Sequence, residues 1–359
     1  MEKIIIRPDE LRRIARILHG SSKRIKAALD SVDQAVSGIG PENFSGQGAE
    51  SLRKRYAGIQ VRLGMANIQI ILMAKQLEKI AKGFEDKDKA LAAPNGRPID
   101  NSEDGMLFVK GSSDVTTIHP SDITQGLLLG DCYLLATLAA MAKADPELIR
   151  QMIKINADGT YTVRFFNEET GKEEFVTVNK KDIPHIFGYS INAQKGDGGE
   201  LWPAIIEKAY AKWIYERHNG VMEPGGSTFL EKIGIQAQTD DYKAIDGGLL
   251  TVATQLTGRP IWGVEPSAMT EFMLINNIEK GNLITLGTPP EAKILPSQMY
   301  LFQGNGAPLV PSHAYYVLGY DSKTGMVEIG NPWGWDDTVS IQLSELKIGF
   351  PQIQITEVL

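Results

Sequence analysis

A single cysteine, Cys132, limits both how this chain can be held together and what chemistry it can carry out. One Cys in 359 residues excludes an internal disulfide, and no His or second Cys lies close enough in sequence to suggest a metal site. The fold must therefore be held by burial of apolar side chains. Cys132 itself is left with two roles, a packing residue or a nucleophile.

The residues around Cys132 favour the nucleophile. Gly130 and Asp131 predict a tight turn and a helix start, and the apolar run that follows predicts a helix that ends before Pro146. A thiol in the first turn of a helix lies at the positive end of the helix dipole, which favours the thiolate. An inert core cysteine more typically lies in the middle of an element.

A thiolate that catalyses acyl transfer needs a base, and the base needs a group that orients it. Of the five histidines, His313 is the best candidate, because it begins a strand-like run that continues to Tyr320. The other four lie in segments that read as helix, loop or surface. A second strand-like run, 326–330, follows a turn that contains Gly325, so the two runs predict a β-hairpin.

The predicted hairpin brings a third group to His313. Folding it about Lys323 sets position 313 opposite position 333, to within about one residue, and places Asn331 diagonal to His313. A carboxamide can accept the ring N–H and fix the tautomer without adding a charge, and Trp333 can shield that bond from water. An Asn-Pro pair alone more simply indicates a turn. Three parts in the order Cys132, His313, Asn331 favour a catalytic triad.

With these residues, the chain resembles a known family, the calpain-like cysteine peptidases, which are a branch of the papain fold. The resemblance covers residues 106–359 and is carried by five blocks in the same order: 130–138, 202–212, 225–228, 313–317 and 331–334. It implies that Cys132 is the nucleophile, His313 the general base and acid, and Asn331 the orienting group. It also implies that Gln125 and the backbone N–H of Cys132 bind the oxyanion, and that Trp333 covers the His–Asn pair.

The chain departs from the family pattern at two positions near this site. Gln125 precedes Cys132 by seven residues, whereas six is usual, so the loop must bulge if Gln125 is to reach the oxyanion. Ser312 stands before His313 where the family often has Gly. The resemblance expects Gly226 and Ser312 to lie along the substrate cleft.

The first ninety residues have a separate pattern. Apolar residues recur at helical spacing from Leu11 to Val36, and from Leu52 to Phe84 the steps alternate between four and three. This predicts two helices in an antiparallel hairpin with a coiled-coil seam, which packs either on its own core or on a partner. With Phe44-Ser45-Gly46 in the connection and Asp88 after the second helix, the hairpin resembles the WXG100 (ESAT-6-like) proteins of type VII secretion, Phe replacing Trp. That resemblance implies an exported effector, or a hairpin that binds a helical partner or a second copy.

The expected fold class is α+β, a papain-like two-lobed core preceded by a helical hairpin. The predicted segments are a hairpin at 1–90, a linker at 91–105, a helical lobe at 106–224 and a β lobe at 225–359. Turn formers gather in the linker. The substrate cleft is expected between the two lobes.

Charge is distributed unevenly along the chain. Residues 1–92 carry 17 Lys and Arg against 11 Asp and Glu, a net of +6, and the rest carries 20 against 33, a net of −13. Opposite signs favour docking of the two parts or of the hairpin with an acidic partner, and the acidic core argues against nucleic acid. No apolar run reaches transmembrane length and no cleavable signal peptide is visible, which predicts a cytoplasmic protein or one exported without a cleaved leader.

No metal site and no certain cofactor are predicted. No loop has the spacing of an EF-hand. Calcium drives lobe closure in the animal members of the family through scattered loop carboxylates, so the resemblance leaves calcium open.

Three function classes follow. The first is a cysteine endopeptidase that acts on protein or peptide substrates, with autoprocessing between hairpin and core. The second is a papain-fold deamidase or transglutaminase-type acyl transferase, and the third is an inactive binding or export scaffold. The complete set of three residues argues against the third. Only substrate tests separate the first two, because both proceed through a thioester.

Overall fold

A computed structural model describes most of the chain. The described residues are 8–37, 45–46, parts of 48–82, 118–126, 129–183, 185–186, 189–190, 200–218, 240–290 and 309–358. They fall into two units, with residues up to 82 in the first and residues from 118 onward in the second. The predicted linker 91–105 lies outside the described residues, as do Phe44, Phe84, Asp88 and Gly226.

The first unit contains two helical segments that run antiparallel. The first is the helix Pro8–Ser37, and every described residue between 48 and 82 is also helical. His19 Nε2 lies 3.4 Å from Glu78 Oε1, and Gln60 Nε2 donates to Asp33 Oδ1 at 2.9 Å. An early residue of the first helix thus meets a late residue of the second segment.

The predicted seam is only partly covered within this unit. Four of its positions, Ile14, Val32, Ile59 and Leu63, are 40–52% exposed. Small residues are buried instead, including Ala15. The hairpin therefore presents apolar side chains to solvent along both helical segments.

The second unit mixes helices and antiparallel sheets. Its described strands are β1 (Ile153–Ile155), β2 (Tyr161–Phe166), β3 (Glu173–Val178), β4 (His185–Ile186), β5 (Tyr189–Ser190), β6 (Ile261–Val264), β7 (Leu283–Gly287), β8 (Ala314–Asp321), β9 (Met326–Asn331), β10 (Gly334–Gln342) and β11 (Gln352–Thr356). Its described helices are Cys132–Ala144, Pro146–Met152, Trp202–Arg217, Asp240–Lys243, Val252–Thr257, Glu271–Glu279 and Leu343–Gly349, with shorter 3₁₀ turns between some elements. This mixture confirms the α+β class.

The largest sheet has six strands in the order β10-β9-β8-β7-β11-β6, and each neighbouring pair is antiparallel. All five residues of β7 and the first five of β8 are buried. Continuous burial of this kind indicates strands covered on both faces rather than one. The helices Cys132–Ala144 and Glu271–Glu279 both pack against these two strands.

The helix Cys132–Ala144 is the centre of the core. Every residue from Tyr133 to Ala142 is buried, so the helix is apolar on all sides, as expected of an element enclosed by others. It ends at Asp145, whose side chain accepts a hydrogen bond from the Glu147 backbone and caps the next helix. The predicted bounds of this helix are confirmed.

A three-stranded sheet, β1-β2-β3, lies in the region that the sequence predicts to be mainly helical. The helix Trp202–Arg217 packs on it through an aromatic cluster in which Phe165 stacks on Trp213 with ring centroids 5.0 Å apart. Tyr210 meets the edge of the same Phe165 ring. The two lobe boundaries themselves stay predictions.

Candidate active site

The candidate base lies at the start of the hairpin formed by β8 and β9. Tyr316 pairs with Gly330, a register that sets position 313 opposite position 333 when extended by three residues, which confirms the predicted register. A side chain on Gly330 would place its Cβ 2.2 Å from the Tyr316 ring, so close pairing here requires glycine. At the other end, Gly325 closes the turn with a φ of +71°.

His313 and Asn331 form a buried pair at the open end of this hairpin. His313 Nε2 lies 2.8 Å from Asn331 Oδ1, and the two residues are 6% and 7% exposed. The same oxygen accepts the backbone N–H of Trp333 at 3.1 Å, which identifies it as the carbonyl oxygen of the amide. Because that oxygen only accepts, His313 Nε2 carries the proton, and Nδ1 is the nitrogen whose lone pair can act as a base.

Two aromatic rings hold the imidazole. The Trp333 ring centroid lies 4.7 Å from that of His313, and the Tyr315 ring meets it edge-on at 4.9 Å. These contacts limit the rotation of the imidazole and keep water from its bond to Asn331. The Trp333 ring thus packs against the imidazole, and its role as a cover for the His–Asn pair stays a prediction.

Cys132 lies beside the strand that follows His313. It is the first residue of its helix, and its thiol accepts a hydrogen bond from the backbone N–H of Ala314. Since Ala314 directly follows His313, the thiol lies next to the segment that carries the imidazole. The fold thus brings the thiol close to the backbone of Ala314, although the two residues are far apart in the sequence.

Burial favours the neutral forms of both reacting groups. The pKa of the Cys132 thiol is raised to about 12, first by burial and further by the negative charge of Asp131, while the Ala314 hydrogen bond opposes the shift. Burial also lowers the pKa of His313 to about 4, against the opposing effect of its bond to Asn331. Part of Cys132 reaches solvent, yet desolvation is the largest cause of its raised pKa. Both shifts favour a thiol and a neutral imidazole.

Gln125 is buried in the loop that leads to Cys132. Its backbone N–H donates to the Pro332 carbonyl at 2.8 Å, which ties the loop to the segment after Asn331. Its side-chain Nε2 donates to the Leu129 carbonyl, also at 2.8 Å. The same side chain also interacts with the Asp131 carboxyl and lowers its pKa, so an oxyanion would compete with two acceptors for its N–H groups. Positions 127–128, which lie within the seven-residue spacing between Gln125 and Cys132, are outside the described residues.

Ser312 adopts a backbone conformation that normally selects glycine. Its φ is +50°, and it is the only residue other than glycine with positive φ among those the structure describes. Left-handed backbone costs a residue with a Cβ roughly 1–2 kcal/mol. This explains why glycine is frequent at this position in the family that the sequence resembles. Gly226, the other predicted cleft residue, lies outside the described residues.

Thr288 was not predicted from the sequence, yet it positions the backbone of the candidate base. Its Oγ1 accepts the His313 backbone N–H at 2.9 Å and donates to the Val310 carbonyl at 2.6 Å. Its own N–H donates to the His313 carbonyl at 3.0 Å. No local pattern marks this residue, because its partners lie 22 and 25 positions away.

A second unpredicted contact fixes the turn before the nucleophile. The Gly130 N–H donates to Asp246 Oδ1 at 2.7 Å, and the Gly247 N–H donates to the Gly130 carbonyl at 3.0 Å. A Cβ on Gly130 would lie 2.8 Å from the same Asp246 oxygen, so the contact needs glycine at that position. Asp246 is 116 positions from Gly130, beyond the reach of any local sequence signal.

Two kinds of feature are absent from the described part of the chain. No group of three or more His, Cys, Asp or Glu side chains is arranged to hold a metal ion there. None of its helices is long and apolar enough to cross a membrane.

Comparison with known proteins points to one family. The profile described as calpain family cysteine protease matches residues 96–345. A thiol protease of Porphyromonas gingivalis is 27% identical over 235 residues, which cover 59% of this chain and 44% of that protein. The human calpain-2 catalytic subunit is 27% identical over 252 residues, covering 66% of this chain and 30% of that protein. The maize calpain-type cysteine protease DEK1 is 28% identical over 255 residues, covering 66% and 10%. The chain thus matches less than half the length of these relatives.

Proposed function

The chain belongs to the calpain family of cysteine proteases, and we propose that it is an endopeptidase that cleaves proteins through a thioester on Cys132. The observation that carries this proposal is the buried bond from His313 Nε2 to Asn331 Oδ1. It leaves His313 Nδ1 as the basic nitrogen, in the segment that adjoins the only thiol of the chain. The roles of the three residues are those of a Cys-His-Asn triad.

In the first half of the reaction, Cys132 Sγ attacks the carbonyl carbon of the scissile bond and forms a C–S bond. The thiol proton passes to His313 Nδ1 during the attack, because the resting pair is neutral. The backbone N–H of Cys132, which has no partner within its helix, and the side-chain amide of Gln125 bind the oxyanion. Collapse of the tetrahedral intermediate breaks the C–N bond, and the imidazolium gives its proton to the leaving amine.

In the second half, water replaces the amine. His313 Nδ1 accepts a proton from the water as its oxygen attacks the thioester carbon. The C–S bond then breaks, the acid product leaves, and the sulfur regains the proton from the imidazolium. Asn331 holds the ring in the tautomer that both halves need.

Digestion of an unstructured protein tests the proposal. Purified wild-type chain and Cys132→Ala are incubated with casein, with and without calcium, and the products are identified by gel and mass spectrometry. We expect internal fragments from the wild type alone. If casein stays intact while its Gln side chains are converted to Glu or cross-linked to amines, the chain is an acyl transferase of the second class. If neither product forms under any condition, the active-enzyme proposal is wrong.

We also propose that the hairpin is a docking module for a helical hairpin of another chain or copy. The exposed seam residues Ile14, Val32, Ile59 and Leu63 support this, as does the net charge of +6 over residues 1–92. Light scattering of the full chain, beside a variant with Ile14 and Val32 changed to Ser, tests self-association. If the chain is a monomer at all concentrations, self-association is excluded and the partner must be a different protein. Export by a type VII-like route is tested separately, by comparing the amount of the chain in the medium of hosts with and without that system.

A further inference from the structure

The turn that leads into His313 has a backbone conformation that needs support. Residues 310–313 carry Pro311 at the second position and Ser312, with a φ of +50°, at the third. This is the pattern of a type II turn, whose third position normally takes glycine. In such a turn the first carbonyl commonly accepts the fourth N–H, so the Val310 carbonyl is the usual partner for the His313 N–H.

The hydroxyl of Thr288 lies between those two groups. Its Oγ1 accepts the His313 N–H at 2.9 Å and donates to the Val310 carbonyl at 2.6 Å. The His313 carbonyl oxygen, at 3.1 Å, is a longer alternative for the one hydroxyl proton, and it already accepts the Thr288 backbone N–H at 3.0 Å. One hydroxyl thus bridges both ends of the turn, which requires a group that donates and accepts at the same time.

A second hydroxyl, that of Tyr315, holds the first residue of the same turn. The Val310 N–H donates to Tyr315 Oη at 3.2 Å. Tyr315 is 2% exposed, and its ring meets the imidazole of His313 edge to face with the centroids 4.9 Å apart. Its ring also packs against Phe350, with centroids 5.4 Å apart. Tyr315 therefore links the start of the turn to the ring of the candidate base.

The end of the turn is joined to the thiol. Ala314, the first residue after the turn, donates its N–H to the Cys132 thiol and pairs with Gly287, the residue before Thr288. His313 lies directly between the turn and this anchored residue. A change in the turn would therefore shift or rotate the imidazole while the thiol stays in place.

We propose that Thr288 and Tyr315 are positioning residues for His313, whose hydroxyls hold the turn 310–313 in its strained form and so set the position of the imidazole relative to the thiol of Cys132. Their effect on catalysis rests on the proposed function, in which His313 is the base. Strained backbone persists only where its surroundings hold it. These two side chains supply three hydrogen bonds that do so.

Removing each hydroxyl separately tests the effect on catalysis. Thr288→Val keeps the shape of the side chain but can neither donate nor accept, whereas Thr288→Ser keeps the hydroxyl. With a quenched fluorescent peptide, we expect Thr288→Val to lower kcat roughly ten- to hundredfold with KM nearly unchanged, because a misplacement of about 1 Å can cost about 10²-fold. Thr288→Ser should retain most of the wild-type kcat. Tyr315→Phe, which keeps the ring and loses only the hydroxyl, should lower kcat by a smaller factor.

Thr257→Val is the matched control. Thr257 Oγ1 also bridges two backbone groups, since it donates to the Ala253 carbonyl at 2.6 Å and accepts the Arg259 N–H at 3.2 Å. It lies at the end of the helix Val252–Thr257, and its partners belong to that helix and the residues that follow. We expect this variant to retain the wild-type kcat.

Adding Ser312→Gly to Thr288→Val tests the role of strain. Glycine adopts a positive φ without the steric cost of a Cβ, so the turn then needs less support. The double variant should therefore recover part of the kcat that Thr288→Val loses. A double variant no faster than Thr288→Val would contradict the role of strain.

Nuclear magnetic resonance of the imidazole tests the positioning without any need for peptidase activity. In the Cys132→Ala chain with ¹⁵N-labelled histidine, the Nε2 proton of His313 should exchange slowly with water, because it lies in a buried bond to Asn331. Loss of the signal in His313→Gln assigns it. We expect Thr288→Val to speed this exchange by at least about tenfold, since local opening exposes the proton. Thr288→Ser and Thr257→Val should leave it unchanged.

The outcomes separate the role of the two hydroxyls from the proposed function. If the wild type cleaves casein while Thr288→Val and Tyr315→Phe keep the wild-type kcat and proton exchange, the positioning role is wrong and the peptidase stands. Equal losses in Thr288→Ser and Thr288→Val would also rule out the hydroxyl. If proton exchange changes as expected but the wild type does not cleave casein, the positioning role stands and the peptidase proposal fails. Should Thr288→Val fail to fold, Tyr315→Phe carries the same test, because it leaves both bonds of the Thr288 hydroxyl in place.

Discussion

Asn331 Oδ1 accepts the proton of His313 Nε2 at 2.8 Å while also accepting the backbone N–H of Trp333 at 3.1 Å. The second bond fixes which end of the amide faces the ring, and so fixes the tautomer of the imidazole. The base is thereby assigned to Nδ1. The catalytic roles proposed for these residues can be separated by mutation.

Cys132→Ala and His313→Ala should each abolish peptide hydrolysis and leave the fold intact, because one removes the nucleophile and the other its base. Asn331→Ala should lose less, since it only orients the ring. The measurement is kcat/KM with a quenched fluorescent peptide, with melting temperature as the check on folding. His218→Ala, at a helix end, is the matched control and should retain wild-type activity. Wild-type cleavage by either of the first two variants contradicts the triad.

Gln125→Ala should lower kcat by roughly two to three orders of magnitude, as the loss of an oxyanion donor does elsewhere. The reason is that its amide is the side-chain donor expected at the oxyanion, despite the extra residue before Cys132. Gln125→Glu removes that donor while keeping the size of the side chain. Unchanged kcat in both variants would mean that the backbone N–H of Cys132 acts without Gln125.

The elements that carry the proposed triad were predictable because their signals are local. Pro146 ends the Cys132 helix, and Gly325 closes the hairpin turn, so both elements have the bounds or register expected from the sequence. Continuous apolar runs within these elements predict that their interiors are buried. The α+β class follows from these same elements.

Contacts between distant residues were not predictable. Asp246 reaches Gly130 across 116 positions, and Glu207 reaches Asp131 from another helix. The burial of the thiol was not predictable for the same reason. The helix dipole can be read from the sequence near Cys132, whereas the burial that raises the pKa of the thiol depends on the whole core.

Ser312→Gly should stabilise the protein by up to ~1 kcal/mol, because glycine adopts a φ of +50° without the strain of a Cβ. Part of the gain is offset by the greater freedom of glycine in the unfolded chain. Ser312→Ala is the control, since it keeps the Cβ and should give no gain. Denaturant unfolding measures both. Equal stability of the Gly and Ala variants would mean that the strain is relieved by other contacts.

The hairpin should be released by cleavage between Ala90 and Asp104. Turn formers gather in this stretch, the net charge changes sign across it, and the family match begins at residue 96. Mass spectrometry of the wild type after prolonged incubation, beside Cys132→Ala, gives the cleavage site. An intact wild-type chain that still digests casein would rule out autoprocessing.

The stability of the protein should respond to pH through two opposing groups. Burial raises the pKa of Asp131 from 3.8 to about 7, so the folded state holds this proton more tightly and stability falls as pH rises from about 4 to 7. Burial lowers the pKa of His313 from 6.5 to about 4, so the folded state binds this proton less tightly and stability falls as pH drops from 6.5 to 4. In the wild type the effects of Asp131 and His313 on stability offset each other over most of the range between about pH 4 and 7.

Replacing one of these two residues should leave the pH dependence of stability that the other one causes. The melting temperature of Asp131→Asn, relative to wild type, should rise with pH from about 4 to 7, whereas that of His313→Gln should fall from about 4 to 6.5. Changes of several degrees are expected, since ~1 kcal/mol shifts the melting temperature of a domain this large by roughly 2–4 °C. Glu216→Gln is the control for background titration. Parallel curves for wild type and Asp131→Asn would mean that Asp131 is ionised in the folded state throughout this range.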